Sequence, residues 1–268
     1  MSKSAQSENT KWDDLQVRLA SGGAMLIVGL AAIYVGGVGF ELLVVFATGL
    51  MIWELAQMCD QDLPNMSVLL GLLSAAVIST QQDVSGAIAL ICYLLVPLAG
   101  VLLLSKRKAQ FLIYALAILI ATGALIQFRA DFGADWILWI ILVIIASDTL
   151  GYLIGRSVGG PKFWPKVSPK KTWSGTIAGW VGAAIVGMVF ALWTGVGTAL
   201  IGLSVLVAFA GQMGDIAESA LKRFVGIKDS SDLIPGHGGL LDRFDAMLGA
   251  VLLLAFLVYG LGWNGVAF

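Results

Sequence analysis

Long apolar runs recur along almost the whole chain and restrict what it can fold into. A membrane-spanning helix needs roughly 20 largely apolar residues. Runs of about that length lie at 17–36, 38–56, 65–80, 84–104, 109–128, 135–154, 173–194, 197–219 and 239–262. The hydrophobic fraction is 59%, whereas soluble domains usually contain roughly one half. We therefore expect an all-α, polytopic integral membrane protein with about nine transmembrane helices.

The runs also divide the chain into regions. Residues 1–16 are polar and predict a cytoplasmic N-terminal segment, and 17–130 predict about five transmembrane helices. Residues 131–268 predict a catalytic transmembrane region of about four helices, with loops at 155–172 and 220–238. The third run is short and only a few residues separate the first two, which leaves eight helices as the alternative count.

The basic residues indicate how the chain is oriented. With nine spans, 15 of the 16 Lys and Arg residues fall on the side of the N-terminus, and only Arg129 falls on the other. Basic residues collect in cytoplasmic loops. We therefore expect the N-terminus and the active site to face the cytoplasm, the C-terminus to lie outside, and the protein to occupy the inner (plasma) membrane.

Most of the concentrated chemistry lies in one stretch, Ser219 to Asp245. It joins a charged segment to Pro-Gly-His-Gly-Gly and then to the acidic start of the last apolar run. The adjacent glycines Gly238 and Gly239 allow the backbone to approach a ligand closely. His237 is the chain's one histidine, and its glycine-rich setting favours a ligand contact over core packing.

Carboxylates cluster at the predicted cytoplasmic ends of three runs. Charged residues inside spans are costly and mark functional sites by default. Asp148 lies in the sixth run; Asp215 and Glu218 share one face of the eighth run with Ser219 and Lys222, at spacings i, i+3, i+4 and i+7. Asp242 and Asp245 open the ninth run. Several facing carboxylates repel one another unless a cation lies between them, and carboxylates with phosphate oxygens suit Mg²⁺.

A basic segment before the seventh run complements these acids. Lys170 and Lys171 precede the predicted start of a helix, whose N-terminal amides attract anions. Ordinary flanking charge at a membrane surface is the alternative for this segment alone. Together, the acidic and basic groups favour a nucleoside triphosphate with Mg²⁺ as the ligand.

The pattern resembles phosphatidate cytidylyltransferase, the CDP-diacylglycerol synthase family. Residues 140–250 carry the resemblance, and the N-terminal half matches chiefly in hydropathy and length, with Glu54 and Arg18 fitting loosely. The family signature is matched at Ser219, Lys222, Arg223, Lys228, Asp229, Pro235, His237, Gly238, Gly239, Asp242, Arg243 and Asp245. Further matches lie at 214–219, at 148–149 with Tyr152, Gly155 and Arg156, and at 168–172.

The resemblance implies a reaction between CTP and phosphatidic acid that gives CDP-diacylglycerol and pyrophosphate. It implies Mg²⁺ with a second cation, K⁺ being the candidate, a homodimer, membrane lipid as a partner and no nucleic acid. By this resemblance Asp215 and Asp242 are the metal ligands, and the catalytic residues are Asp215, Asp242, Lys222, Asp245 and Asp148. The substrate-binding residues it implies are Lys170, Lys171, Arg223, Lys228, Asp229, His237, Gly238, Gly239 and Arg243.

Two positions depart from the family pattern. Ser174 stands where Glu or Gln is common, and Leu150 where a small residue is usual. Neither change removes a matched carboxylate or lysine. Two other functions compete with the cytidylyltransferase: a CTP-dependent lipid kinase of the polyprenol or phytol type, and an ion-coupled transporter, whose acidic residues would form a cation path.

Overall fold

Helices make up most of the computed structural model. The structure describes residues 3–81, 84, 86–263 and 266, and for residues 3–18 it describes the backbone only. The expectation of an all-α protein is confirmed. The helices are α1 (Lys3–Val35), α2 (Gly37–Cys59), α3 (Pro64–Ser79), α4 (Gly86–Leu103), α5 (Lys108–Phe132), α6 (Ala134–Val158), α7 (Trp173–Thr194), α8 (Ala199–Val225) and α9 (Leu241–Leu254), which a π-helical turn continues (Ala255–Gly260).

Six of these helices, α2 and α4 to α8, are long and apolar enough to cross a membrane. The protein is therefore a multi-pass membrane protein. Two shorter apolar helices lie at Leu19–Val35 and Pro64–Ser79, and α9 has 14 residues before its π-helical turn. Each predicted run thus corresponds to one helix, whereas nine membrane crossings remain a prediction.

Helices α6 and α8 extend into the predicted loops. Helix α8 continues to Val225, so Lys222 and Arg223 stand on a helix and not in a loop. Helix α6 continues to Val158 and includes Arg156. Because the helices are longer than the apolar runs, their polar last turns present charged side chains at one end of the bundle.

The core lies between α2, α5, α6 and α8, where Trp139 and Phe111 are fully buried. Trp139 donates its indole N–H to the Ser204 hydroxyl at 2.9 Å, which satisfies its polar atom. The outward faces carry large apolar side chains such as Leu102 and Leu192. An apolar exterior of this kind suits a hydrocarbon solvent.

Small residues set the closest helix contacts. A Cβ on Gly214 of α8 would lie 3.1 Å from the backbone N and Cα of Gly249 on α9. Membrane helices approach one another closely where side chains are small. The close approach of α8 and α9 brings the acidic residues of both helices to the same end of the bundle.

A short β-hairpin interrupts the helices between α6 and α7, which the sequence analysis did not predict. Strands β1 (Lys162–Trp164) and β2 (Ser168–Thr172) pair antiparallel. The rings of Phe163 and Trp173 meet edge to face at 4.7 Å between centroids, and the Thr172 hydroxyl caps α7 by accepting from Gly175 N at 3.2 Å. The hairpin is therefore fixed to the start of α7.

Candidate active site

The predicted face of α8 exists and carries paired side chains. Ser219 Oγ donates to Asp215 Oδ1 at 3.3 Å, and Lys222 Nζ lies 2.5 Å from Glu218 Oε2. Each pair is separated by one helical turn, which is the spacing at which side chains meet. Glu218 is buried, with only 4% of its side chain exposed, so its charge needs a nearby cation.

Lys222 links α8 to α9. Besides Glu218, its ammonium contacts Asp242 Oδ1 at 2.6 Å, and only 14% of the Lys222 side chain is exposed. The family resemblance implied that Lys222 is a catalytic residue. In the structure two carboxylates already hold the ammonium, so its clearest role is to neutralise Glu218 and Asp242.

Asp242 organises the loop before α9. Its Oδ2 accepts three hydrogen bonds, from Ser230 N at 2.8 Å, Ser230 Oγ at 2.9 Å and Gly239 N at 2.9 Å. A Cβ on Gly238, whose φ is +78°, would lie 3.1 Å from the same oxygen. Glycine is therefore required both for the backbone conformation and for the close approach of Asp242.

The site contains two acidic clusters. The first is Glu218 and Asp242 around Lys222, and the second comprises Asp148 of α6, Asp215 of α8 and Asp245 of α9. Asp245 interacts electrostatically with both of the others, as Asp148 does with Asp215. Lys171 of the hairpin pairs with Asp215 Oδ2 at 2.5 Å and donates to Gln212 O at 3.3 Å. The structure thus brings the predicted Asp148, Asp215, Asp245 and Lys171 together.

The donor set fits a divalent cation held jointly with phosphate oxygens. Within the described ranges, no three His, Cys, Asp and Glu side chains form a ready metal site. Mg²⁺ usually binds through one or two carboxylates plus substrate phosphates, so a full protein cage is not needed. Among the residues that the structure describes, Glu218 Oε1 is buried without a hydrogen-bond partner. Asp215 and Asp242 each contact a lysine ammonium group.

A cavity of about 440 Å³ adjoins the loop that joins α8 and α9. Charged residues of both signs and two glycines are among the residues that line it: Lys228, Asp229, Asp232, Ile234, Pro235, Gly236, His237, Gly238 and Arg243. Five predicted substrate-binding residues therefore share one cavity.

The loop around His237 is tied to both sides. Arg243 donates from Nε and Nη2 to the His237 carbonyl at 2.9 and 2.6 Å. On the other side, Ser21 Oγ of α1 lies 2.9 Å from His237 Nδ1 and donates to Pro235 O at 3.1 Å. The position of the His237 imidazole is thus fixed from α1.

Three predicted substrate residues, Lys170, Arg223 and Gly239, are not among those that line the cavity. Lys170 and Arg223 are exposed, Lys228 and Asp229 form a loose pair at 3.8 Å, and Gly239 is buried behind Asp242. Their assignment to phosphates stays a prediction. The side chain of Arg18 lies outside the part of the chain that the structure describes.

Two polar residues that hold the site together were not among the predicted site residues, although Glu54 was noted as a loose match to the family. Gln212 donates to Ser147 Oγ at 3.1 Å and accepts from Trp180 Nε1 at 3.1 Å, which joins α6, α7 and α8. Glu54 of α2 is fully buried and contacts the loop before α9. An acidic residue inside an apolar run was the signal that could have found Glu54.

The two departures from the family pattern lie at the contact of α6 and α7. Ser174 donates to the Gly159 carbonyl, so it fastens the start of α7 to the end of α6. Leu150 packs against Gly182, where an added Cβ would lie 2.7 Å from Leu150 Cδ1. Neither Ser174 nor Leu150 makes these contacts with a charged residue of the site.

A comparison with known families decides which family this arrangement belongs to. The model of the cytidylyltransferase family matches residues 16–261, which include every helix that contributes to the site. The chain belongs to the cytidylyltransferase family. The resemblance carried by the charged residues is thereby confirmed over nearly the whole chain and not only over its second half.

Curated relatives agree with this membership. The phosphatidate cytidylyltransferase of Brucella abortus biovar 1 (strain 9-941) is 32% identical over 249 residues, which cover 90% of this chain and 92% of the relative. The protein of that name from Bacillus subtilis (strain 168) is 31% identical over 263 residues, covering 91% and 98%. That from Staphylococcus aureus (strain COL) is 30% identical over 260 residues, covering 91% and 99%.

Proposed function

We propose that this protein transfers the cytidylyl group of CTP to phosphatidic acid, giving CDP-diacylglycerol and pyrophosphate. The observation that carries the proposal is the family match over residues 16–261, which spans both acidic clusters and the glycine-rich loop. Curated relatives named phosphatidate cytidylyltransferase support the same activity. The reaction is a step of phospholipid biosynthesis.

The proposed chemistry needs no protein nucleophile. A phosphate oxygen of phosphatidic acid attacks the α-phosphorus of CTP, the bond from that phosphorus to the bridging oxygen breaks, and pyrophosphate leaves. Catalysis then depends on positioning and on neutralising charge, as in other phosphoryl transfers. Lys170, Lys171, Arg223 and Arg243 supply positive charge near the acidic clusters and the cavity.

Mg²⁺ is the proposed cofactor, with K⁺ as the proposed second cation. Asp215 and Asp242 would hold Mg²⁺ together with phosphate oxygens. When bound, Mg²⁺ would supply charge neutralisation on the phosphates of CTP. Lys171 contacts Asp215 and is placed to exchange that carboxylate for a phosphate oxygen.

A membrane setting suits both substrates. Phosphatidic acid stays in the leaflet whereas CTP stays in water, so the site must lie at the boundary. We place this boundary at the cytoplasmic face of the inner (plasma) membrane, because basic residues collect at the same end as the acidic clusters. A homodimer is part of the proposal by family resemblance alone.

CTP labelled at single phosphorus atoms tests the function. Purified protein in mixed micelles with phosphatidic acid should move label from the α-phosphate of CTP into lipid and leave the γ-label in pyrophosphate. A lipid kinase would instead move the γ-label into lipid when given an alcohol acceptor. Absence of α-label from the lipid product would overturn the proposed function, and cation uptake by proteoliposomes without CTP turnover would favour the transporter.

A further inference from the structure

Glu54 is a fully buried carboxylate in the N-terminal half that contacts the start of α9. Its Oε2 accepts from Leu241 N at 2.7 Å, and its Oε1 accepts from Leu240 N at 2.8 Å. The first N–H groups of a helix have no partner within the helix. Glu54 therefore caps α9 from another helix, at the end where the helix dipole favours negative charge.

The same carboxylate holds two serines of the loop before α9. Ser231 Oγ donates to Glu54 Oε1 at 2.5 Å, and Ser230 Oγ lies 3.4 Å from Glu54 Oε2. Ser230 also donates to Asp242 Oδ2 from its backbone N at 2.8 Å and its hydroxyl at 2.9 Å. Glu54 and Asp242 thus both contact this loop, and the Ser230 hydroxyl lies between their carboxylates.

We propose that Glu54 is a positioning residue whose carboxylate fixes the loop of Ser230 and Ser231 and the first turn of α9, and thereby aims Asp242 at the bound cation and CTP phosphates. This inference rests on the proposed function. It assigns to the N-terminal helices a direct part in shaping a site whose charged residues otherwise come from the second half of the chain.

The geometry requires a carboxylate at this position. Three donors converge on Glu54, namely Ser231 Oγ and Leu240 N on Oε1 and Leu241 N on Oε2. The Ser230 hydroxyl donates its one proton to Asp242 and lies 3.4 Å from Glu54 Oε2. A glutamine has one acceptor oxygen, so its amide nitrogen would face the backbone N–H of either Leu240 or Leu241 in a buried place. An unsatisfied buried donor costs about 1–3 kcal/mol, so the loop would have to move away from Glu54→Gln.

The backbone of Gly239 shows how little space the loop has. A Cβ at this residue would lie 2.6 Å from Glu54 Oε1 and 3.0 Å from its Cδ, and closer still to Ser230 Oγ. Any shift of Glu54 therefore reaches Gly239, whose N–H donates to Asp242 at 2.9 Å. This is the physical path from α2 to the carboxylate of Asp242.

Full-length Glu54→Gln tests the inference through cation binding and turnover. The measurements are Mn²⁺ binding by electron paramagnetic resonance, as a probe for the divalent site, and kcat and KM for CTP with α-labelled nucleotide. Loss of a group that orients a metal ligand typically costs about 10- to 100-fold in affinity or activity. We expect losses of roughly that size in Mn²⁺ affinity and kcat.

Asp60→Asn is the matched control. Asp60 is also a fully buried carboxylate, at the end of α2, and it accepts from Ser105 N and Lys106 N at 2.8 and 3.1 Å. It caps a connection outside the site, so Asp60→Asn should lower thermal stability yet leave Mn²⁺ affinity and kcat per folded protein unchanged. Equal effects of the two variants on Mn²⁺ binding would overturn the inference.

Ser231→Ala covers the case in which Glu54→Gln does not accumulate in folded form. It removes one of the three hydrogen bonds to Glu54 and leaves a small, partly exposed loop residue, so it should fold and weaken Mn²⁺ binding several-fold. Wild-type Mn²⁺ affinity in this variant would contradict the inference. If wild-type protein fails to transfer α-label, the proposed function is wrong, but the Mn²⁺ comparison still decides the role of Glu54.

Discussion

Asp215 and Asp242 belong to different helices, yet each lies against the ammonium group of a lysine. Lys171 contacts Asp215 at 2.5 Å, and Lys222 contacts Asp242 at 2.6 Å. The Asp215 side chain is 34% exposed, whereas that of Asp242 is 6% exposed. Under the proposed assignment, a cation and its phosphates would reach Asp215 more easily than Asp242, whose Oδ1 contacts Lys222.

Replacing these carboxylates tests the metal assignment. Asp215→Ala and Asp242→Ala should each lower kcat by roughly 100-fold or more, as expected for loss of preorganised charge stabilisation. Both variants should still insert into membranes. Asp131→Ala is the control, because Asp131 accepts from Gln127 and Tyr259 in a pair of contacts away from the acidic clusters. Activity near wild type in either site variant would refute the assignment.

Gly239 offers a second test at this scale. A methyl group there meets the carboxylate of Glu54 and the hydroxyl of Ser230, so Gly239→Ala should displace the loop and lower kcat at least about tenfold. Gly202→Ala in α8 is the control, since a Cβ there meets nothing within 4 Å. The two variants are compared by α-labelled CTP turnover per folded protein, and equal activity would contradict the tight packing.

At the scale of elements, function depends on what lies at the ends of helices. Strand β2 of the hairpin positions Lys171 against Asp215 of α8. The loop between α8 and α9 lines the cavity. Both connections are held in place by specific contacts. The ring of Phe163 packs against Trp173 in the hairpin, and the carboxylates of Asp242 and Glu54 accept hydrogen bonds from the loop. Short ordered connections of this kind position charged groups without needing a soluble domain.

Phe163→Ala should loosen the hairpin. An edge-to-face aromatic pair contributes about 0.5–1.5 kcal/mol beyond its buried area, so the Lys171 contact would be weakened and KM for CTP should rise about 2- to 10-fold. Trp193→Ala removes a comparable pair, that of Phe190 and Trp193 at the other end of α7. That control should leave KM for CTP unchanged, and a rise in both variants would argue against a specific role for the hairpin.

The lowered pKa of Asp60 leads us to expect that the free energy of unfolding depends on pH. Its burial opposes ionisation, but hydrogen bonds from the backbone of Ser105 and Lys106 outweigh that effect, so the pKa of Asp60 lies below its ordinary value. A lowered folded-state pKa stabilises the protein above about pH 4 and the contribution is lost as pH falls through the folded-state value. Asp60→Asn should therefore be less stable than wild type near neutral pH, by about 1.5–3 kcal/mol.

Thermal unfolding of detergent-solubilised protein from neutral to acidic pH measures this effect. The difference between wild type and Asp60→Asn should shrink below about pH 4, because wild-type Asp60 then becomes protonated. A difference that stays constant across this range would show that the charge of Asp60 does not stabilise the fold.

At the scale of the whole molecule, the two predicted regions do not work separately. Helices α1, α2 and α5 of the first region contact the second at Ser21 to His237, Glu54 to Leu241 and Tyr114 to Ala217. All three contacts lie at the end of the bundle that holds the acidic clusters. The first region is therefore part of the wall of the site.

Orientation can be checked with introduced cysteines. Lys166→Cys in the hairpin connection should react with a membrane-impermeant reagent only from the cytoplasmic side, and Thr198→Cys before α8 only from outside. Both positions are exposed, whereas native Cys59 is buried and Cys92 is half-buried, so the parent chain gives the background. Labelling of Lys166→Cys from outside would reverse the proposed orientation.

The fold class, the approximate helix positions and the set of charged residues could be predicted from the sequence alone. Apolar run length has a direct physical cause, the thickness of the bilayer, and charged residues in such runs stand out because their burial is costly. For the same reason Asp148, Asp215 and Asp245 could be predicted to converge. The six long helices and the family match bear out the class of protein and the activity.

Which charges meet could be read only from the packed helices. Lys222 was predicted to be catalytic, and the structure shows its ammonium group between Glu218 and Asp242. The hairpin that contains Lys171 has no apolar pattern that would have predicted it. Glu54 lies 186 residues before Leu240 in the chain, and they meet only because α2 packs against the start of α9. Spacing along a helix fixes which side chains share a face, but contacts between helices depend on packing, which no local pattern encodes.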